Sequence, residues 1–191
     1  IIKSISNIKP VEGRLESIGN IKNNSKVILD YAHTPDALKY TLESIKEQFS
    51  HSSISIVFGC GGNRDKDKRP IMGKIANQYC NKIFLTDDNP RYENPKKIRN
   101  QIKKKIVRSK LVEISSRKKA IKEAVENLNS GDILLVAGKG HEIYQEYKGK
   151  KKIFSDKKYI LKEINSKNKK FFKNWKANIL NEKCNLNLVN K

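Results

Sequence analysis

Cysteine is scarce in this chain and badly placed for cross-linking. Among 191 residues only Cys60, Cys80 and Cys184 are cysteine. The number is odd, the spacing is wide and no Cys-x-x-Cys occurs, which excludes a disulfide framework and a zinc knuckle and points to reduced thiols in a cytoplasmic compartment. Long apolar runs are missing too. No stretch approaches the roughly eighteen residues a membrane span needs, and no signal peptide is visible, so no membrane partner is expected. His33, His51 and His141 share no metal-ligand spacing, so no metal is expected on this chain. Acidic residues are outnumbered, 20 against 41 Lys plus Arg, for a net charge of +21. That excess fits nucleic acid, or an acidic, phosphate-bearing small substrate. It is mostly Lys, spread along the chain with Asn and Ile, which makes nucleic acid the weaker reading. Two phosphate signatures are also absent. Gly59-Cys60-Gly61-Gly62 is not completed by the Gly-Lys-Ser/Thr of a P-loop, and no strand ends in Gly-x-Gly-x-x-Gly. The first residue is Ile1 rather than Met, which reads as a piece of a longer polypeptide.

What is present is alternation. Lys26 to Tyr31, Ser53 to Phe58, Lys82 to Leu85, Leu111 to Ile114 and Asp132 to Ala137 read as buried strands. Between them lie helices from Pro35 to about Phe49, Pro70 to about Tyr79, Pro95 to Val107 and Arg117 to Leu128, the first capped by Thr34. Ile143 to Tyr147 and Lys151 to Phe154 flank Lys148-Gly149-Lys150 as a hairpin, and Ser155 and Asp156 open a last helix to about Ile164. The expected fold is α/β: a Rossmann-like, mostly parallel sheet with helices on both faces, plus a C-terminal hairpin and helix. Residues 1–164 form one expected domain. Residues 165–191 form a Lys/Asn-rich tail, read as an appended helix or partly disordered segment. Its Phe171, Phe172 and Trp175 are expected to pack on the domain rather than stack on bases.

In such a sheet the carboxyl ends of the strands share one edge, where ligands bind. Four of them end in polar residues: Asp30-Tyr31-Ala32-His33-Thr34-Pro35, Gly59-Cys60-Gly61-Gly62-Asn63-Arg64-Asp65, Asp88-Asn89-Pro90-Arg91 and Gly138-Lys139-Gly140-His141-Glu142. The third puts a carboxylate, an amide and a guanidinium together, and a guanidinium fork matches a carboxylate with two parallel bonds. The segment also reads as a turn whose Pro stops the strand and whose Arg is solvated. Lys68 and Arg69 read as a solvated run before a helix, Cys60 and Cys80 as buried thiols, and His141 as a residue that shapes the Glu142 loop.

These motifs, with Gly13-Arg14-Leu15-Glu16, Lys68-Arg69-Pro70-Ile71-Met72-Gly73 and Phe154-Ser155-Asp156, carry a resemblance over about the first 160 residues. The chain resembles the C-terminal domain of the Mur ligases, in their diaminopimelate-adding branch. The resemblance implies a three-domain, ATP-dependent ligase of peptidoglycan precursors. There ATP phosphorylates the D-glutamyl γ-carboxylate of UDP-N-acetylmuramoyl-dipeptide, and the amino group of meso-diaminopimelate attacks the acyl phosphate. ATP and Mg2+ would be held mainly by a central domain, so this piece would not act alone. By the same resemblance Arg64 and Arg91 clamp the carboxylate at the non-reacting end of diaminopimelate, Asn89 bonds that end, and Glu142 and the Gly138 carbonyl hold its ammonium. Arg14, Asp30 and His33 would face the nucleotide. Each has a plainer reading, as a surface arginine, a turn-capping aspartate and a loop histidine. Asn63 departs from the Asp common in the family, which puts the setting of Arg64 in doubt. Two alternatives are an amide ligase of folylpolyglutamate synthetase type, in which Asp-Asn-Pro-Arg with Gly-Lys-Gly-His-Glu is not expected, and a basic nucleic-acid-binding module.

Overall fold

The computed structural model describes residues 11–189, with side chains to residue 177, so the expected free thiol Cys184 lies outside the described side chains. Its elements follow in order β1 (Glu16–Ser17), β2 (Lys26–Asp30), α1 (Pro35–Gln48), β3 (Ile54–Phe58), α2 (Lys68–Tyr79), β4 (Lys82–Leu85), α3 (Pro95–Lys103), β5 (Leu111–Glu113), α4 (Arg117–Glu126), β6 (Ile133–Ala137), β7 (Tyr144–Tyr147), β8 (Lys150–Ile153) and α5 (Asp156–Val189). Six strands pair in the order β1-β2-β6-β3-β4-β5. Only the short β1 edge runs antiparallel. β7 and β8 form a separate antiparallel hairpin.

Burial on both faces explains the nearly unbroken apolar runs of β3 and β6, in which every residue is buried. Alternate side chains point to opposite faces. Ile28, Ile56, Leu85 and Leu135 meet Leu42 of α1, Met72 of α2 and Ile98 of α3. Val27, Val57, Phe84 and Leu134 meet Ile121 and Val125 of α4 and Ile160 of α5. Helix starts follow side-chain chemistry. Thr34 Oγ1 accepts from the Ala37 amide, Asn94 from Lys96 and Lys97, and Ser116 from Lys119, with Pro35 and Pro95 in the first turns.

Among the boundaries that differ from expectation, which include the start of α2 at Lys68 rather than Pro70, three have a local cause. α3 ends at Lys103 rather than Val107, because the chain turns and Asn77 Oδ1 captures the Val107 amide at 2.9 Å. The hairpin turn is the two residues Lys148-Gly149, both at positive φ (49° and 73°), the twist a tight hairpin favours. α5 runs on to Val189 instead of stopping near Ile164, since no Gly or Pro interrupts residues 165–189. The tail aromatics touch the domain but stay about half exposed, at 44%, 46% and 55% for Phe171, Phe172 and Trp175: Phe171 lines a cleft with Ile21, Lys22 and Asn23, and Lys22 Nζ lies 5.4 Å from the centre of the Phe172 ring.

Arg117, at the start of α4, is fully buried and binds the two layers on that side together. Its Nε and Nη2 donate to the Asp156 carboxylate at 2.8 and 2.7 Å, and Nη2 also donates to the Ala137 carbonyl at 2.8 Å. Removing one member strands a buried charge, which typically costs about 3–5 kcal/mol. Arg117→Met should lower unfolding free energy by that order in urea titration. The double variant Arg117→Met/Asp156→Leu should recover most of the loss.

Candidate functional site

The parallel strands do bring their polar ends together. The loops after β2, β3, β4 and β6 line one open cavity of about 580 Å³. Of the residues singled out from the sequence, Arg64, Asn89, Arg91, Gly138, Glu142 and His33 line it. Arg14 and Asp30 do not.

The loops touch backbone to backbone. A Cβ at Gly62 would collide with the Pro90 carbonyl, and the Gly62 amide donates to the Asn89 carbonyl at 2.9 Å. Gly61 lies between the two arginines: a Cβ there would fall 2.8 Å from Arg91 Nη1 and 3.8 Å from Arg64 Cγ. Asn63, at φ 51°, adopts the left-handed conformation Asn tolerates well. Its Oδ1 accepts from the Tyr92 amide and its own amide donates to Glu93, so it ties the Arg64 loop to the Arg91 loop.

Arg91 also has positive φ, 51°, a strained setting for a long side chain, at roughly 1–2 kcal/mol. The hairpin holds it there. Its amide donates to the Glu146 carbonyl at 3.1 Å, and its carbonyl accepts from the Lys148 amide at 2.6 Å. Nη1 donates to the Gly62 carbonyl at 2.9 Å and Nε lies 3.6 Å from Glu146 Oε2. Arg64 is exposed, and its one bond among the described residues goes to the neighbouring Asn63 carbonyl at 3.2 Å.

Asn89 is buried and nearly saturated. Its Oδ1 accepts from Lys139 Nζ at 3.1 Å and from the Glu146 amide at 3.0 Å, while Nδ2 donates to Glu142 Oε2 at 3.0 Å. Lys139, wholly buried, also donates to Glu142 Oε2 at 2.7 Å. Burial works against the Glu142 charge, but Lys139, Asn89 and Arg91 outweigh it and hold the carboxyl below its ordinary range. Asp88 faces the same cavity, 3.9 Å from Arg117 Nη1. The Gly138 carbonyl accepts no hydrogen bond among the described residues.

Asp30 is bonded within its own surroundings. Its Oδ1 accepts from the Ala32 amide and Thr41 Oγ1, and its Oδ2 from the Leu15 amide at 2.7 Å. It thereby fixes the segment carrying Arg14, whose guanidinium lies 5.0 Å from the centre of the Tyr31 ring. His33 and His141 pack on the same ring, at 4.7 and 5.2 Å. Lys68 Nζ donates to the His33 carbonyl at 2.8 Å.

The sequence reading missed three cations. Arg69 is not part of a solvated run: it is fully buried, with Nη1 and Nη2 gripping Glu93 at 3.0 and 2.9 Å and Nη2 donating to the Gly61 carbonyl at 3.0 Å. A Lys-Arg pair next to a loop gives no sign of this, because the partner lies 24 residues away. Lys139 and Arg117 were likewise unmarked. Cys60 and Cys80 are buried free thiols, each pushed up to about 12 by burial.

Compared with known proteins, residues 13–140 match the family model described as Mur ligase, glutamate ligase domain. The chain belongs to the Mur ligase family. A curated UDP-N-acetylmuramoyl-L-alanyl-D-glutamate–2,6-diaminopimelate ligase of Rickettsia felis is 45% identical over 170 residues, 88% of this chain and 31% of that protein. The enzyme of the same name from Chlorobaculum tepidum is 44% identical over 160 residues, 83% of this chain and 32% of that protein. A solved structure of a ligase of that name superposes with a TM-score of 0.76 at 38% identity, covering 86% of this chain and 34% of that one. The Mur ligase chain thus spans about a third of the length of these relatives. A folylpolyglutamate synthase from Thermotoga maritima, at 24% identity and a TM-score of 0.53, shares the fold.

The Arg69–Glu93 brace gives a pH test. Hydrogen bonds from Arg69, with the Asn63 amide, bring Glu93 down to about 2. A depressed carboxyl stabilises the fold above its ordinary value and loses that contribution as pH falls through the folded value. Glu93→Gln should therefore be less stable than wild type at neutral pH. The gap in urea midpoint should close between pH about 4.5 and about 2.

Proposed function

We propose that this chain is the acceptor-amino-acid domain of a ligase that adds meso-diaminopimelate to UDP-N-acetylmuramoyl-L-alanyl-D-glutamate. The observation that carries the reading is one cavity holding Arg64 and Arg91 on either side of Gly61, together with the Glu142 and Asp88 carboxylates. That set complements a zwitterionic amino-acid end. Guanidinium forks suit its carboxylate, and a carboxylate with the Gly138 carbonyl suits its ammonium. Arg64 has most of its donors available, whereas Arg91 and Asn89 are already committed to protein partners and are held in place by them. Asn89 therefore acts mainly by orienting Glu142 and the hairpin, and less as a direct ligand. Fixing the non-reacting end aims the other amino group at the activated carboxylate. Positioning of this kind contributes up to roughly 7–11 kcal/mol in the best cases.

The nucleotide-facing role falls to Arg14 and His33, grouped around Tyr31, and Asp30 serves it through the loop it holds. The described residues do not themselves fit a complete ATP–Mg2+ site. No group of three His, Cys, Asp or Glu among them could hold a metal ion. The phosphates and Mg2+ would be held by a central domain outside this chain. Phosphorylation of the substrate carboxylate would occur there, and this domain would close over it in the cytoplasm.

Lysine lacks the distal carboxylate, and its binding would leave the available donors of Arg64, and Arg91 Nη2, without that partner. A site built to bond a polar group rejects the analogue lacking it by about 10⁴-fold. Titrating the chain with meso-diaminopimelate and L-lysine, followed by backbone amide NMR shifts, should show shifts near Arg64, Arg91 and Glu142 for diaminopimelate alone. Arg91→Ala should abolish them. Equal response to lysine would sink the specificity claim.

A further inference from the structure

Three charged groups run from the interior to the cavity wall: Asp156 at the start of α5, Arg117 at the start of α4 and Asp88 after β4. Asp156 is fully buried, Arg117 almost so, and Asp88 is 8% exposed. Asp88 lines the cavity and Asp156 does not. Arg117 commits Nε and Nη2 to the Asp156 carboxylate, at 2.8 and 2.7 Å. Its Nη1 is buried, donates to nothing among the described residues and stops 3.9 Å from Asp88 Oδ2. The Asp88 carboxylate accepts no hydrogen bond among them, and a Cβ at Gly138 would lie 3.1 Å from its Oδ2. A buried donor and a buried acceptor thus sit just out of reach of each other, a costly arrangement unless something holds them apart. The fork on Asp156 does so. Two parallel bonds fix the guanidinium plane, and the Ala137 carbonyl also holds Nη2 at 2.8 Å. Burial opposes the Arg117 charge, and Asp156 does most to offset it, ahead of Asp88 and Glu142.

We propose that Asp156 is a positioning residue for the ligand's ammonium: by keeping Arg117 on itself, it leaves the Asp88 carboxylate free to accept from the ligand. The inference rests on the zwitterion-binding reading of the cavity. Were Asp156 uncharged, Asp88 would be the remaining carboxylate beside Arg117, and the guanidinium would turn to it, since a bond to a charged acceptor is the stronger one. Closing the gap would satisfy Nη1. It would also take an acceptor out of the cavity and set a cation against the incoming ammonium. Loss of a mere brace would weaken the site whatever stands at position 88, whereas the loss inferred here runs through Asp88 alone.

Asp156→Asn keeps the shape of the side chain and removes its charge. A crystal structure of that variant should show Arg117 Nη1 moved to about 3 Å from Asp88. Titrated with meso-diaminopimelate, it should bind about tenfold more weakly than wild type, the worth of one hydrogen bond to a charged group. In an Asp88→Asn background the same substitution should change affinity little, because the acceptor it acts through is already gone. Arg117→Met/Asp156→Leu removes the competing cation together with its partner, so it should recover most of the lost affinity, and it keeps the test open if Asp156→Asn does not fold. A guanidinium that stays on the side chain at position 156, or an equal loss in both backgrounds, overturns the inference in favour of a purely structural brace. So does a double variant that keeps its amide spectrum but recovers no affinity. A wild-type chain that does not respond to diaminopimelate counts against the proposed substrate instead, and the place of the guanidinium in Asp156→Asn then decides this inference by itself.

Discussion

Asn89 is the point on which the site depends. Its side chain joins three stretches that are far apart in sequence: the turn after β4, the Lys139–Glu142 loop and the start of the hairpin. Lys139 can only donate, so the Asn89 oxygen must face it and the Asn89 amide must face Glu142. One buried cation thereby sets the orientation of the amide, the placement of the carboxylate and the docking of β7. The neighbouring Asp87 extends the attachment, accepting from Arg99 and from the Tyr147 hydroxyl. Burial pushes the Asp87 carboxyl up, and Arg99 opposes that shift. The hairpin is thus fastened to the sheet mainly by polar groups, while the apolar layers hold the sheet to its helices.

Much of the fold was legible because period and punctuation agree. The largely apolar runs Ile54–Phe58 and Ile133–Ala137 are buried on both faces, and Thr34-Pro35 and Asn94-Pro95 announce helix starts that the capping bonds account for. The end of α5 was not legible, since residues 165–189 contain neither a stop signal nor a compelling reason to continue. β1, two residues long, is defined by pairing with Leu29 and Ile28 and has no pattern of its own.

The cavity was legible at the level of loops, because parallel pairing forces the strand ends onto one edge. Which side chains remain free within it was not. Arg64, Arg91 and Asn89 look alike in sequence as candidate ligands, yet Asn89 is consumed by Lys139, Glu142 and Glu146, and Arg64 has a single bond to its neighbour. Arg69 and Lys68 are adjacent, yet one is fully buried on Glu93 and the other reaches across to the His33 carbonyl. Such differences arise from partners tens of residues away, which no local pattern encodes.

The backbone of Arg91 sits where glycine is most at ease. A chain shaped for stability alone would place glycine there and gain from the relief. Carrying an arginine at that angle means the fork is aimed by the main chain rather than by rotamer choice. Its direction is then set by the ladder to β7, so that displacing the hairpin would turn the guanidinium away from the cavity without any change in the arginine's own side-chain torsions.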